Sequence, residues 1–147
     1  MMYRRPVIVA STMLAALFLA VAAPARAQTA AVASVSSAET AKAYRMDAAR
    51  HIYAVYKDKI YKGKLPPLVH AIVVVEMELD ANGQLRDIHL IRVPTHAPDV
   101  TAAVQEMIRR AAPMPAPSRL GGAKFMETWL VDKSGHFQLD ALTEGQR

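Results

Sequence analysis

One stretch of the chain, from Ala71 to Val93, restricts its fold more than any other. Two runs rich in Val, Ile and Leu flank the tetrapeptide Asp80-Ala81-Asn82-Gly83. Asn-Gly between β-forming runs is the strongest short-range signal for a hairpin, because both residues tolerate positive φ. Alternate positions of the first run give one wholly apolar face: Val73, Val75, Met77 and Leu79. A lone hairpin is barely stable in water, so the rest of the chain must cover this face.

The segments that follow the hairpin also carry clear patterns. The second run changes phase between Leu85 and Ile88, which predicts a bulge near Arg86-Asp87. Pro98 and Asp99 suit the first turn of a helix, and Pro113 ends it. Between them, apolar residues recur at helical spacing: Val100, Ala103, Val104, Met107, Ile108 and Ala111. The sequence therefore predicts an amphipathic helix directly after the hairpin.

A further helix is predicted before the hairpin, from about Thr40 to Lys62. Thr40 is suited to the N-cap and Gly63 to a left-handed position after the last turn. Its apolar stripe consists of Ala48, Ile52, Val55, Tyr56 and Ile60. After the second helix, strands are expected from Lys124 to Val131 and from His136 to Leu139. The predicted fold is α+β, with the order α-β-β-α-β-β and two helices on one face of a small antiparallel sheet of three to four strands.

The N-terminal residues are read as an export signal. Arg4 and Arg5 precede an apolar run of 17 residues from Val7 to Ala23, and Ala25-Arg26-Ala27 has the small residues of a cleavage site. An uncleaved membrane anchor is the alternative, since about 17 residues can span a bilayer. We expect residues 1–27 to be a signal peptide and residues 28–41 a flexible leader. A domain at 42–142 and a frayed tail at 143–147 would follow.

Positive charge is concentrated in one segment. Without Arg4, Arg5 and Arg26, 15 of the 18 Lys and Arg remain, against 13 Asp and Glu. Lys57, Lys59, Lys62 and Lys64 lie close together in the sequence. They fit either a solvated face or a surface for an anionic partner, including weak contact with an anionic membrane. No nucleic-acid partner is expected.

Motifs for catalysis are not found in the sequence. The chain has no Cys, and its five His form neither a His-x-His motif nor an i, i+4 pair. It has no Gly-rich phosphate loop and no G-x-S-x-G motif. We therefore expect a protein without enzymatic activity, catalytic residues, metal or cofactor.

Three motifs together resemble the C-terminal domain shared by the TonB and TolA proteins of Gram-negative envelopes. They are the β-run that ends in Leu79-Asp80-Ala81-Asn82-Gly83, the helix end Arg109-Arg110-Ala111-Ala112-Pro113-Met114-Pro115, and the late hairpin Trp129 to Gly135. The resemblance covers Tyr44 to Leu142. It implies a non-catalytic periplasmic module that binds an envelope protein or a segment of an outer-membrane receptor by strand addition.

The resemblance also indicates a binding site. The third strand matches the family's receptor-pairing edge, which makes Phe125, Glu127, Trp129 and Val131 the candidate partner-binding residues. The alternative is that Phe125 and Trp129 are core aromatics.

The chain differs from the family in two respects. It lacks the family's titratable membrane helix and long Pro-rich spacer, so a periplasmic domain without motor coupling is expected. An anchored energy transducer is the alternative if residues 7–23 stay in the inner membrane. Unprotected edges of so small a sheet also allow a homodimer by edge-strand pairing.

Overall fold

The structure, a computed structural model, describes residues 34–147. The predicted signal peptide and residues 28–33 of the predicted leader lie outside the described residues. Within 34–147, none of the helices is both long enough and apolar enough to cross a membrane. The regular elements are α1 (Ala41–Val55), β1 (Ala71–Asp80), β2 (Leu85–Arg92), α2 (Pro98–Ala111), β3 (Gly122–Val131) and β4 (Phe137–Leu139).

The four strands form one antiparallel sheet in the order β2-β1-β3-β4. The predicted α+β class and the order of its elements are confirmed. β1 pairs with β3 along the full length of both strands, from Ala71 opposite Val131 to Asp80 opposite Gly122. The predicted bulge is also present, because Glu78 pairs with Asp87 and Leu79 with Leu85, which leaves Arg86 as the extra residue. The sheet is thus centred on two long strands with a shorter strand on each side.

One face of the sheet is packed against both helices. Alternate residues of β1 are buried on this face, as the sequence predicts. α1 contributes Tyr44, Ala48 and Ile52 to the same core, and α2 contributes Val104 and Ile108. Trp129 of β3 packs against Phe137 of β4, with ring centroids 4.5 Å apart. These contacts place the apolar core between the sheet and a single layer of helices.

The first helix is shorter than predicted. The Thr40 side chain accepts a hydrogen bond from Ala43 N, so the expected N-cap is present, but α1 ends at Val55. A short 3-10 turn follows at Lys57–Lys59. Ile60 then forms a bridge to Phe137, and Tyr61 N donates to Phe137 O. The chain beyond the helix is thus extended and covers the outer edge of β4.

The β1–β2 turn differs in detail from the two-residue turn that Asn-Gly favours. Asp80 N donates to Gln84 O, so the loop has three residues, and among the described residues only glycines have positive φ. Gly83 has φ +79°, and Met114 N donates to Gly83 O at 2.9 Å. A Cβ at Gly83 would lie 2.0 Å from Met114 O. The turn is therefore docked tightly against the proline-rich segment that follows α2.

The C-terminal tail is hydrogen-bonded, although the sequence predicts it to be frayed. Leu65 N donates to Gly145 O, and Arg147 N donates to Leu65 O. The Leu65 side chain is fully buried. Gln138 joins the same region, since its amide donates to Tyr61 O and Gly63 O and accepts from Thr143 Oγ1. The tail is held because it pairs with the connector between α1 and β1.

Candidate functional site

The four predicted partner-binding residues all lie on the core face of β3. Phe125, Glu127, Trp129 and Val131 are buried. The alternative weighed from the sequence, that Phe125 and Trp129 are core aromatics, is confirmed. Contact of these side chains with a partner stays a prediction, and in this structure alternation directs the odd-numbered residues of β3 toward the helices.

The outer edge of β3 is nevertheless open over most of its length. β3 has ten residues, but β4 pairs only with Trp129, Leu130 and Val131. No strand pairs with this edge at residues 122–128 within the described chain. We call residues 122–128 of β3, on the side away from β1, the open edge.

The register identifies which main-chain groups point out of the open edge. In an antiparallel pair, hydrogen-bonded residue pairs recur at every second residue. Asp132 N donates to His136 O at 2.9 Å, so Leu130 and Gln138 form the next such pair. Even-numbered residues of β3 therefore direct N–H and C=O away from β1. On the open edge these residues are Gly122, Lys124, Met126 and Thr128.

A buried carboxylate stands at one end of the open edge. Glu127 is 1% exposed and receives two hydrogen bonds from Arg45 of α1, at 3.2 Å from Nε and 2.7 Å from Nη2. Arg45 Nη2 also lies 3.0 Å from Asp140 Oδ2. The hydrogen bond to Glu127 raises the pKa of Arg45, with a smaller contribution from Asp140. The cluster joins α1, β3 and the start of the C-terminal region.

The Glu127 carboxylate also accepts hydrogen bonds from two main-chain N–H groups. Thr128 N donates to Glu127 Oε1 at 2.8 Å, and Ala141 N donates to that oxygen at 3.4 Å. Thr128 would face Asp140 if β4 continued, but the chain turns away at Asp140. Lys124 and Met126 have no comparable side-chain acceptor among the described residues. Met126 is also 53% exposed, on the sheet face opposite the helices. The part of the edge that offers free donors is thus centred on Lys124 and Met126.

The outer edge of β2 is also unpaired within the described part of the chain. Glu76 pairs with His89 and Glu78 with Asp87 across β1–β2, so Ile88 and Leu90 point outward. Ile88 N donates to the Asp87 carboxylate at 2.7 Å. Leu90, Ile91 and Val93 are exposed. No helix or loop among residues 34–147 pairs with this edge.

The four lysines are spread over irregular chain beyond α1. Lys57 and Lys59 lie in the 3-10 turn, and Lys62 and Lys64 lie in the connector to β1. All four are exposed, and none forms a salt bridge with a described residue. The prediction that the first helix continues to Lys62, which would place Lys57, Lys59 and Lys62 in its last turns, is wrong because α1 ends at Val55. Their positive charge is therefore not gathered on one helical face.

One polar grouping among residues 34–147 combines serine, aspartate and histidine in an order different from that of a catalytic triad. Ser134 Oγ lies 2.6 Å from both Asp132 Oδ1 and His136 Nδ1. In a Ser-His-Asp triad the carboxylate contacts the histidine, whereas here it accepts from the serine inside a tight turn. A cavity of about 460 Å³ lies between α2 and this turn, with Val100, Met107 and Val131 in its wall. Residues 34–147 contain no cluster of three or more His, Asp or Glu that could hold a metal.

The sequence did not point to Lys124 and Met126, because what distinguishes them is unpaired main-chain groups and not their side chains. The available signal was the difference in length between the two predicted late strands, since a short strand leaves part of its neighbour unpaired. No such signal indicated the ion pair of Glu127 with Arg45.

Comparison with protein-family models, with curated proteins and with solved structures gives no match to this chain.

Proposed function

We propose that this protein is a non-catalytic interaction module of the periplasm, which binds an extended segment of an envelope protein by strand addition to the open edge. One observation carries the proposal: ten-residue β3 is paired with only three residues of β4. Strand addition uses such unpaired main-chain groups for affinity and neighbouring side chains for specificity. The resemblance to TonB and TolA domains supports the same mode of binding.

The position of the edge favours an antiparallel partner. β4 runs antiparallel to β3 and leaves the sheet at Asp140. A partner strand in the same direction as β4 would run alongside Met126 and then Lys124. Its side chains on the outer face would lie beside Met126, whose exposed side chain offers apolar contact. The partner would thus occupy a place in the sheet that the chain itself vacates.

The location and the lack of motor coupling rest on the sequence alone. A cleavage site follows the apolar run, and the leader is short. If residues 7–23 stay in the membrane, the same domain would be held at the inner membrane, and strand addition would serve an anchored protein.

One proline in the open edge of β3 and another in the outer edge of β2 test the proposal. Heptapeptides selected from a random display library against the purified protein provide the probe. Met126→Pro removes an outward N–H without touching the pairing with β1, whereas Leu90→Pro does the same at the β2 edge. We expect Met126→Pro to weaken peptide binding at least about tenfold, because a main-chain hydrogen bond is lost and the ring obstructs close approach. Leu90→Pro should leave the affinity within about twofold.

Circular dichroism and thermal unfolding of both variants provide the control for folding. Equal weakening by the two prolines, or none by Met126→Pro, would contradict binding at the open edge of β3. The result that Leu90→Pro alone abolishes binding would move the site to β2.

A further inference from the structure

The Glu127 carboxylate has more contacts than an ion pair with Arg45 requires. It lies under α1 on the core face, yet one of its oxygens is directed back to the edge of β3, where it accepts from Thr128 N at 2.8 Å. Thr128 N–H is an outward group of the kind that an added strand must engage. A strand extending past Met126 would therefore compete with a charged acceptor that is already in place.

We infer that Glu127 is a stop for the added strand, which ends pairing at Met126 and limits the length of the segment that this site accepts. The inference rests on the proposed function and specifies the partner of the same site. Each outward residue of β3 can exchange both of its main-chain hydrogen bonds with a residue opposite. Lys124 and Met126 together give about four hydrogen bonds and need a segment of about five residues.

The fixed position of the carboxylate supports this role. Arg45 holds both of its oxygens, and Arg45 is itself held by Asp140. A hydrogen bond from a main-chain N–H to a charged carboxylate is stronger than one to a neutral carbonyl. A partner carbonyl would thus have to displace the stronger acceptor, and the buried carboxylate would lose a donor. Pairing that ends before Thr128 avoids both costs.

Two substitutions separate the stop from the fold. Glu127→Gln keeps an oxygen that can accept from Thr128 N, so the stop should remain. Glu127→Leu removes the acceptor but fills the buried site with an apolar side chain, and Arg45 retains Asp140 as its partner. Replacing one member of a buried charge pair often costs stability. A test in the wild-type protein is therefore needed as well.

The experiment follows amide hydrogen exchange by NMR in the full chain, with a selected heptapeptide as the probe. In the wild-type complex we expect exchange at Lys124 and Met126 to slow at least about tenfold and exchange at Thr128 to change by less than about twofold. Slowing at Thr128 comparable to that at Met126 would overturn the stop and leave strand addition intact. No slowing at Lys124 or Met126 would overturn both the stop and the proposed function.

Peptide length provides the second readout. Against the wild-type protein and Glu127→Gln, trimming the peptide from seven residues to the five that pair should leave the affinity within about twofold. Against Glu127→Leu, the seven-residue peptide should bind about tenfold more tightly than the five-residue peptide, because Thr128 N–H becomes available. Equal preference for length in Glu127→Leu and Glu127→Gln would overturn the stop.

Discussion

The two hairpins of the sheet begin from nearly the same turn and end in different surroundings. In each turn an aspartate, Asp80 or Asp132, accepts main-chain hydrogen bonds through Oδ1. In each turn a glycine three residues later has positive φ, +79° at Gly83 and +83° at Gly135. A Cβ at Gly83 would collide with Met114 O, whereas a Cβ at Gly135 would have nothing within 4 Å. Local turn chemistry is therefore shared, and tertiary packing distinguishes the two hairpins.

The strand edges beyond these turns differ in the same way. β2 is open along its eight residues, and its charged side chains are exposed. β3 is open over residues 122–128 only, and a buried charged cluster closes one end of that opening. The comparison teaches that an exposed edge alone does not define a site. The edge of β3 has a bounded length and fixed neighbours, which the edge of β2 lacks.

The largest expected effect concerns the turns. Gly83→Ala should lower the free energy of unfolding by about 3 kcal/mol or more, because left-handed strain adds to a collision with the Met114 carbonyl. Gly135→Ala carries the same strain without the collision and should cost about 1 kcal/mol. Urea unfolding of both variants measures the difference. Equal losses would mean that the β1–β2 turn is not held by its contact with Met114.

The same comparison explains how much of the fold could be predicted from the sequence. β1, the turn after it and α2 were predictable because turn residues and uninterrupted periodicity agree over these segments. The end of α1 was not, because Tyr56 and Ile60 continue the helical stripe but serve other contacts. Tyr56 OH donates to Met107 O, and Ile60 pairs with Phe137. Tertiary pairing overrode local periodicity at that point.

The candidate site was only partly predictable, for a related reason. The strand of the proposed site was predicted, but the four side chains assigned to the partner are buried in the core. Odd and even positions of β3 could be separated by parity, yet parity alone does not show which set faces α1. The burial of Glu127 depends on Arg45, 82 residues earlier in the chain, and no local pattern records that contact.

A smaller effect distinguishes the charged pairs that flank the two edges. Arg45→Ala leaves Glu127 buried without its cation and should lower the free energy of unfolding by about 2–4 kcal/mol. Arg86→Ala breaks the 2.7 Å contact with Asp80, but Arg86 is 65% exposed, so the loss should be a small fraction of that. Arg45→Lys should lie between the two, since a lysine cannot reproduce the two-pronged contact. Chemical unfolding at neutral pH gives all three values. A loss for Arg86→Ala as large as that for Arg45→Ala would contradict the distinction.

The smallest expected effect is the pH dependence of the β1–β2 turn. The N–H of Gln84 contributes most to lowering the pKa of Asp80 below its ordinary value of about 3.9, with further contributions from Asn82 N–H and Arg86. Because the folded pKa is the lower one, this carboxylate stabilises the fold above pH 3.9, and the contribution is lost as the pH falls through the folded pKa. NMR titration of Asp80 should show a lowered pKa that persists in Arg86→Ala, since the main-chain donors remain. A return of the Asp80 pKa to about 3.9 in that variant would mean that Arg86, and not the main-chain donors of the turn, lowers it.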